Sequence, residues 1–150
     1  MRRDIKEQIL SRKKSALHYA GFILKKKNLT YEEFDRAFTA YLCDKFMLEP
    51  SEISTDDFYE ICQISADKAA NLPKGALDAS ELASKCGGAT TAMNKKVLFL
   101  LAVNREYGIE IKAEESVRIE MFSELKVLVY EKIRGSKSAS TESADDSWMI

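Results

Sequence analysis

The sequence predicts an all-α protein, and three observations support this class. Apolar residues recur three, four and seven positions apart in several long segments, which is the spacing of a helix with one buried face. No segment of useful length alternates apolar and polar residues as a strand would. Threonine caps, glycines and prolines mark where helices start and stop. With 150 residues, 45% of them hydrophobic, the chain is large enough for one core, so we expect one domain with appendages.

The first predicted helix covers about residues 3–26 and is strongly basic. Residues 1–27 contain nine basic and two acidic side chains, a net charge of +7, whereas the rest of the chain contains 14 basic and 22 acidic ones, a net charge of −8. We therefore separate a basic N-terminal helix, residues 1–28, from an acidic body. The apolar residues that predict one face of this helix are Ile5, Ile9, Leu10, Leu17, Ala20, Ile23 and Leu24.

The clearest helix start in the sequence is a capping box formed by Thr30 and Glu33, in which each side chain bonds the backbone N–H of the other residue. The helix behind it is predicted to run to about Phe46. It should stop near Pro50, because the residue before a proline is pushed out of the helical region. Thr55 is the expected cap of one or two short helices that end before the second proline.

The most apolar helix of the chain follows a short one predicted over residues 80–85. Thr90 or Thr91 is its expected cap, and Gly108 is expected to end it. Residues 97–103 are apolar nearly all the way round. Such a helix must be buried centrally or must show part of its surface to a partner.

The C-terminal third is predicted to contain two helices and a tail. The helices cover residues 113–119 and about 122–133. Residues 135–150 are rich in serine and acidic residues and lack a helical period, so we predict a disordered tail. Trp148 is unusual in such a tail and is expected to make some contact.

Composition and motifs argue against several classes of protein. No run of about 18 apolar residues exists, and charges fill the N-terminus where a signal peptide would be apolar, so we expect a cytoplasmic protein. The three cysteines, Cys43, Cys62 and Cys86, lack paired spacing, which argues against disulfides and a zinc site. His18 is the single histidine. Because no phosphate-binding glycine loop or catalytic triad is present either, we expect no enzymatic activity.

Two blocks of the sequence suggest a family. The first is FDRAFTAYLCDKFMLEPSEIST, residues 34–55, and the second is residues 97–133. The helix in the second block ends in an acidic residue, an aromatic residue, Gly-Ile and a further Ile. These blocks resemble the acyl carrier proteins, small helical bundles that bear a phosphopantetheine arm in fatty-acid and polyketide synthesis. The residues that carry the more specific part of the resemblance are Glu106, Tyr107, Gly108, Ile109 and Ile111.

The resemblance implies an acyl-carrier-protein-like helical bundle over residues 29–134. The basic helix, residues 1–28, is then an addition to the family's four helices. About residues 59–89 form a helical insertion between the first and second carrier helices. The third and fourth carrier helices correspond to residues 113–119 and 122–133.

The serine that bears the prosthetic group in the family has no counterpart here. A working carrier has Asp-Ser-Leu roughly fourteen residues before the aromatic, and that place is occupied by Met93. Thr90 and Thr91 offer hydroxyls nearby, so they remain alternative attachment sites beside their role as caps. No cofactor is expected, and 4′-phosphopantetheine would be bound only if such an atypical residue were modified. Lys95 and Lys96 make the start of this helix basic, where the family's is acidic.

We therefore predict a non-catalytic carrier-like module that docks on protein partners, namely synthase-like or tailoring enzymes of a biosynthetic pathway. The residues predicted to bind the partner are Met93, Lys95, Lys96 and Val97. One alternative is an atypical carrier modified at a non-standard residue. Another is a protein that binds nucleic acid or a membrane surface through its basic helix, although we expect that helix to pack on the acidic body instead. Self-association through residues 97–103 is a third.

Overall fold

A computed structural model describes the backbone of residues 2–71 and 91–148 and the side chains of residues 5–71 and 91–137. Within these ranges the regular elements are six α-helices and one 3-10 turn, and strand pairing is limited to a single bridge, so the predicted all-α class is confirmed. The predicted helix at 80–85, most of the insertion, Cys86 and Thr90 lie outside the described residues. The helices are α1 (Arg2–Lys25), α2 (Tyr31–Phe46), α3 (Phe58–Ala70), α4 (Ala92–Tyr107), α5 (Ala113–Arg118) and α6 (Phe122–Trp148).

Helix α1 packs along α2, but only part of its predicted apolar face is buried. The buried residues are Ile9, Ala16, Ala20 and Ile23. Leu10, Leu17 and Leu24, which were predicted to share that face, are exposed. The prediction of a single face is therefore wrong: one neighbouring helix covers only a narrow stripe of α1, and the leucines lie outside it.

The predicted capping box at the start of α2 is confirmed. Thr30 Oγ1 accepts a hydrogen bond from the backbone N–H of Glu33 at 3.1 Å, and Glu33 Oε1 accepts one from the backbone N–H of Thr30 at 3.1 Å. The backbone bond to Thr30 and the nearby Lys26 ammonium hold the pKa of Glu33 below its usual value. At its other end α2 stops at Met47, whose φ of 56° is left-handed.

Arg12 joins α1 to the C-terminal end of α2. Its guanidinium donates to the carbonyl oxygens of Cys43 at 2.9 Å and Leu48 at 2.7 Å, and it forms an ion pair with Glu49. The C-terminal end of a helix carries partial negative charge, so a cation is stabilising there. This basic residue is therefore part of the scaffold.

Helix α3 begins later than predicted. Its cap is Asp57, whose carboxylate accepts a hydrogen bond from the backbone N–H of Glu60 at 3.0 Å. The expected cap, Thr55, instead accepts a bond from the backbone N–H of Asp57 at 3.1 Å and orients the capping residue. The segment forms one helix up to Ala70, not two.

Both predicted ends of α4 are confirmed. Thr91 caps the helix by accepting a hydrogen bond from the backbone N–H of Asn94 at 3.1 Å. Gly108 ends it with a left-handed backbone at φ 65° and ψ 36°, a conformation that glycine adopts without a Cβ penalty.

An aromatic core holds α2, α4 and α6 together around Phe38. The centroid of its ring lies 6.0 Å from that of Phe99 and 5.7 Å from that of Tyr107, both on α4, and 6.1 Å from that of Phe122 on α6. The three helices that the resemblance identifies as the first, second and fourth carrier helices therefore share one core. Ala16, Ala20 and Ile23 of α1 belong to the same cluster.

Helix α6 is longer than predicted. It continues beyond Ile133 to Trp148, so the prediction of a disordered tail over residues 135–150 is wrong for residues 135–148, and the last two residues lie outside the described ones. Lys137 explains how the extension begins, because its ammonium donates to the carbonyls of Ile23 at 2.8 Å and Lys26 at 2.9 Å, at the end of α1. The segment contains no proline to interrupt the helix, so the helix continues through it although serine and acidic residues are frequent.

Candidate partner-binding surface

Helix α4 has a buried face and an exposed apolar face. The buried residues are Ala92, Phe99, Leu100, Ala102, Val103 and Tyr107. Met93, Val97, Leu98 and Leu101 are each between 48% and 55% exposed. Residues three and four apart on a helix are neighbours, so these four side chains form one patch, which we call the α4 apolar face. One side of α4 is thus buried in the core and the other is open to a partner, which are the two arrangements expected for a helix that is apolar nearly all the way round.

The four residues predicted to bind a partner are only partly brought together on this face. Met93 and Val97 lie on it, one turn apart. Lys95 and Lys96 are half-buried, and the ammonium of Lys96 donates to the carbonyl of Ile119 at 3.3 Å, which fastens the start of α4 to the segment after α5. The signal that sequence reasoning missed is Leu101, which continues the spacing of four from Met93 and Val97.

The place of the family's serine is exposed and lacks a hydroxyl. Met93 lies in the first turn of α4 with half of its surface open to solvent. Thr91, two residues earlier in the chain, has a hydroxyl, and its oxygen accepts a hydrogen bond from the N–H of Asn94. A hydroxyl that caps a helix has a structural role that attachment of a prosthetic group would disturb.

Glu106, the acidic residue of the resembling segment, connects α4 to α2. Its carboxylate accepts hydrogen bonds from the Tyr41 hydroxyl at 2.7 Å and from the Lys45 ammonium at 2.8 Å. Burial raises the pKa of Glu106, but the bonds from Lys45 and Tyr41 together outweigh burial, so its pKa lies below the ordinary 4.5. Burial, reinforced by the Glu106 carboxylate, raises the pKa of Tyr41. This cluster fixes the end of the helix that presents the apolar face.

The two described cysteines are poor nucleophiles. Cys43 and Cys62 are both buried, and burial raises their pKa to about 11 and about 12. Little reactive thiolate therefore exists at neutral pH. Over residues 5–71 and 91–137, no three His, Cys, Asp or Glu side chains come close enough to hold a metal ion.

A cleft of about 720 Å³ opens between α1, the end of α2, α3 and the start of α4. Its charged lining residues are Glu7, Arg12, Lys45, Glu49, Lys68 and Lys95. Three of these cations make ion pairs: Arg12 with Glu49, Lys45 with Glu106 and Lys68 with Glu52. Apolar lining residues, among them Ile9, Phe46 and Met47, lie between these charges, so the cleft has mixed walls and not the mostly apolar lining typical of a site for an acyl chain. The outside of α4, in contrast, is a continuous apolar surface.

Comparison of the chain with protein-family models, with curated proteins and with solved structures found no match. In the part of the chain that the structure describes, none of the helices combines the length and the apolar character needed to cross a membrane. The assignment of function therefore depends on the residues themselves and on the surfaces they form.

Proposed function

We propose that the chain is a non-catalytic, acyl-carrier-like module that docks on a partner enzyme through the α4 apolar face. The observation that carries this proposal is the half-exposure of four large apolar side chains on one helix whose opposite face forms the core. Single exposed apolar residues are ordinary, but a contiguous group of them marks an interaction surface. Covering the exposed part of each side chain would contribute roughly 1 kcal/mol, several in total.

The chemistry of the α4 apolar face indicates the chemistry of the partner. Lys95 lines the cleft against α1 and α3, and Lys96 is bonded to Ile119, so the charge of the first turn lies off this face. The matching surface on the partner is therefore an apolar groove that covers Met93, Val97, Leu98 and Leu101. The first turn contains no acidic residue, whereas the family that the sequence resembles has an acidic helix there, so the partner differs from an ordinary carrier's partner in that respect.

The arrangement of the helices supports the carrier-like part of the proposal. α2, α4 and α6 surround one aromatic core, and the short α5 lies between α4 and α6 in the chain, which is the order of the family's four helices. Met93 in place of serine supports docking without a covalent arm. The module would then use the carrier surface for recognition only.

Site-specific cross-linking in the native cell tests where partners bind. A photoreactive amino acid at position 97 is expected to capture a biosynthetic enzyme, whereas one at position 127 should not, since Val127 is similarly exposed but lies on α6. With the captured enzyme purified, Leu101→Gln should weaken binding at least about tenfold, and Val127→Gln should leave it unchanged. Equal capture at both positions, or normal binding by Leu101→Gln, would contradict the proposal.

Intact-mass measurement separates this proposal from an atypical carrier. The chain is incubated with coenzyme A and a promiscuous phosphopantetheinyl transferase, and we expect its mass to stay unchanged. A gain equal to one phosphopantetheine group that Thr91→Val abolishes would establish the atypical carrier instead.

A further inference from the structure

The outer side of α1 presents three leucines in a line. Leu10, Leu17 and Leu24 are 58%, 57% and 39% exposed. Residues seven apart on a straight helix are offset by only about 20°, so these side chains form one strip, about 21 Å long at about 1.5 Å per residue. We call it the α1 leucine strip.

The protein does not need these leucines for its core. The stripe of α1 that packs inward contains Ile9, Ala16, Ala20 and Ile23, and Arg12 fastens the helix to the end of α2. The strip lies roughly a quarter of a turn around the helix from this buried stripe, where its leucines are exposed. Its occupant must therefore come from outside the part of the chain that the structure describes.

Lysines lie beside the strip. Lys6 and Lys14 are four residues before and after Leu10, on the same side of the helix, and Lys25 follows Leu24; all three are exposed. Glu7, three residues before Leu10, is the one acidic residue among the described side chains of α1. The strip is thus apolar along its middle and carries a net positive charge along its edges.

We propose that the α1 leucine strip docks on the surface of a bilayer that contains anionic lipid. The leucines would enter the boundary between headgroups and acyl chains, while the lysine stems lie along it and their ammonium groups reach the phosphates. Charge disfavours the same strip of a second copy as the occupant, because its lysines would face these lysines. Nucleic acid would attract the lysines but would leave the leucines in water.

The inference concerns a different helix from the α4 apolar face and does not depend on the proposed function. The sequence alone does not favour a membrane as the partner, because it predicts that all apolar residues of this helix share one packed face. The exposure of Leu10 and Leu17 removes that objection.

Vesicle sedimentation with the full chain tests the proposal. We expect the protein to sediment with vesicles of phosphatidylcholine mixed with phosphatidylserine, and at least about tenfold less with pure phosphatidylcholine vesicles. The double substitution Leu10→Gln, Leu17→Gln should lower the partition coefficient at least about tenfold, whereas Val127→Gln on α6, a similarly exposed apolar position outside both surfaces, should not change it. Lys14→Gln should weaken binding and reduce its dependence on salt.

Three results would overturn the proposal: no sedimentation with the anionic vesicles, sedimentation that the double substitution leaves unchanged, or a dimer in solution that the double substitution dissociates. Because both leucines are more than half exposed, the variant is expected to fold. Circular dichroism checks this, and Leu24→Gln with Lys25→Gln is a second variant on the same strip.

Discussion

Replacing Glu106 by glutamine tests how strongly the polar cluster holds α4 on α2. The substitution keeps the shape of the side chain and removes its charge. The Lys45 ammonium then lacks its counterion, and the amide oxygen can still accept the hydrogen bond from Tyr41. The lost interaction is a charge-assisted bond whose acceptor side chain is only 9% exposed.

The size of the effect follows from this geometry. A hydrogen bond to a charged group contributes about 1.5–3 kcal/mol, and removing one partner of a buried ion pair costs about 3–5 kcal/mol. The Lys45 side chain is 22% exposed, so water can solvate its ammonium group and offset part of the lost interaction with Glu106. We expect the free energy of unfolding to fall by about 2 kcal/mol, measured by urea unfolding with an unchanged m-value. Glu131→Gln, at an exposed position on α6, is the control and should change it by less than about 0.5 kcal/mol.

The effect of Glu106→Gln should also depend on pH. Because the pKa of Glu106 is lower in the folded state than its ordinary 4.5, the folded protein binds this proton less tightly than the unfolded chain. The stabilisation is therefore fully present above the unfolded pKa and is lost as the pH falls through the folded pKa. The difference between the parent protein and the variant should shrink between about pH 6 and about pH 3. A difference below about 0.5 kcal/mol at neutral pH, or one that does not change with pH, would refute the reasoning.

Two further substitutions test the scaffold. Arg12→Gln should lower the free energy of unfolding, measured in urea, by about 2 kcal/mol, because the carbonyls of Cys43 and Leu48 lose a cationic donor. Lys14→Gln, at an exposed position on the same helix, is the control and should have almost no effect. Equal effects of the two substitutions would show that Arg12 acts only as surface charge. Gly108→Ala should raise the unfolding rate and lower the free energy of unfolding by about 1 kcal/mol, because a residue with a Cβ is strained at a φ of 65° even though no neighbouring atom would clash with it. Gly108→Asn should lower the free energy of unfolding by less, because asparagine tolerates the left-handed conformation better.

Helix boundaries that depend on neighbouring residues could be predicted from the sequence. The capping box at Thr30, the cap at Thr91 and the left-handed glycine at position 108 each use atoms within four residues along the chain. Such local hydrogen bonds are the same in any fold that contains the helix. For that reason they could be recognised before any tertiary contact was known.

The contacts that position the surfaces could not be predicted in the same way. Arg12 bonds carbonyls 31 and 36 residues away, and Glu106 bonds a hydroxyl 65 residues away. No spacing rule indicates such pairs. Lys137 is a similar case, since its bonds to the end of α1 and the residue after it span more than 110 residues and lie where α6 extends into the predicted tail.

Periodicity also cannot decide which of two apolar stripes on a helix is buried. In α1 the stripe with Ala16 and Ala20 is covered and the stripe with Leu10 and Leu17 is not, although leucine is the more apolar residue. Small side chains allow the axes of α1 and α2 to approach closely. The larger leucines then remain outside, where a second surface can cover them.

Helix α1 both contributes to the scaffold and carries the α1 leucine strip, and this determines how its vesicle binding can be tested. Deleting residues 1–28 would remove Ile23 from the core and Arg12 from the end of α2, so lost binding after deletion would not distinguish an unfolded protein from a missing surface. Substitutions on the exposed leucines and at Lys14 leave those anchors in place. Any change in vesicle binding that they cause, at unchanged stability, can therefore be assigned to the surface of α1, just as Leu101→Gln reports on α4 without disturbing Glu106.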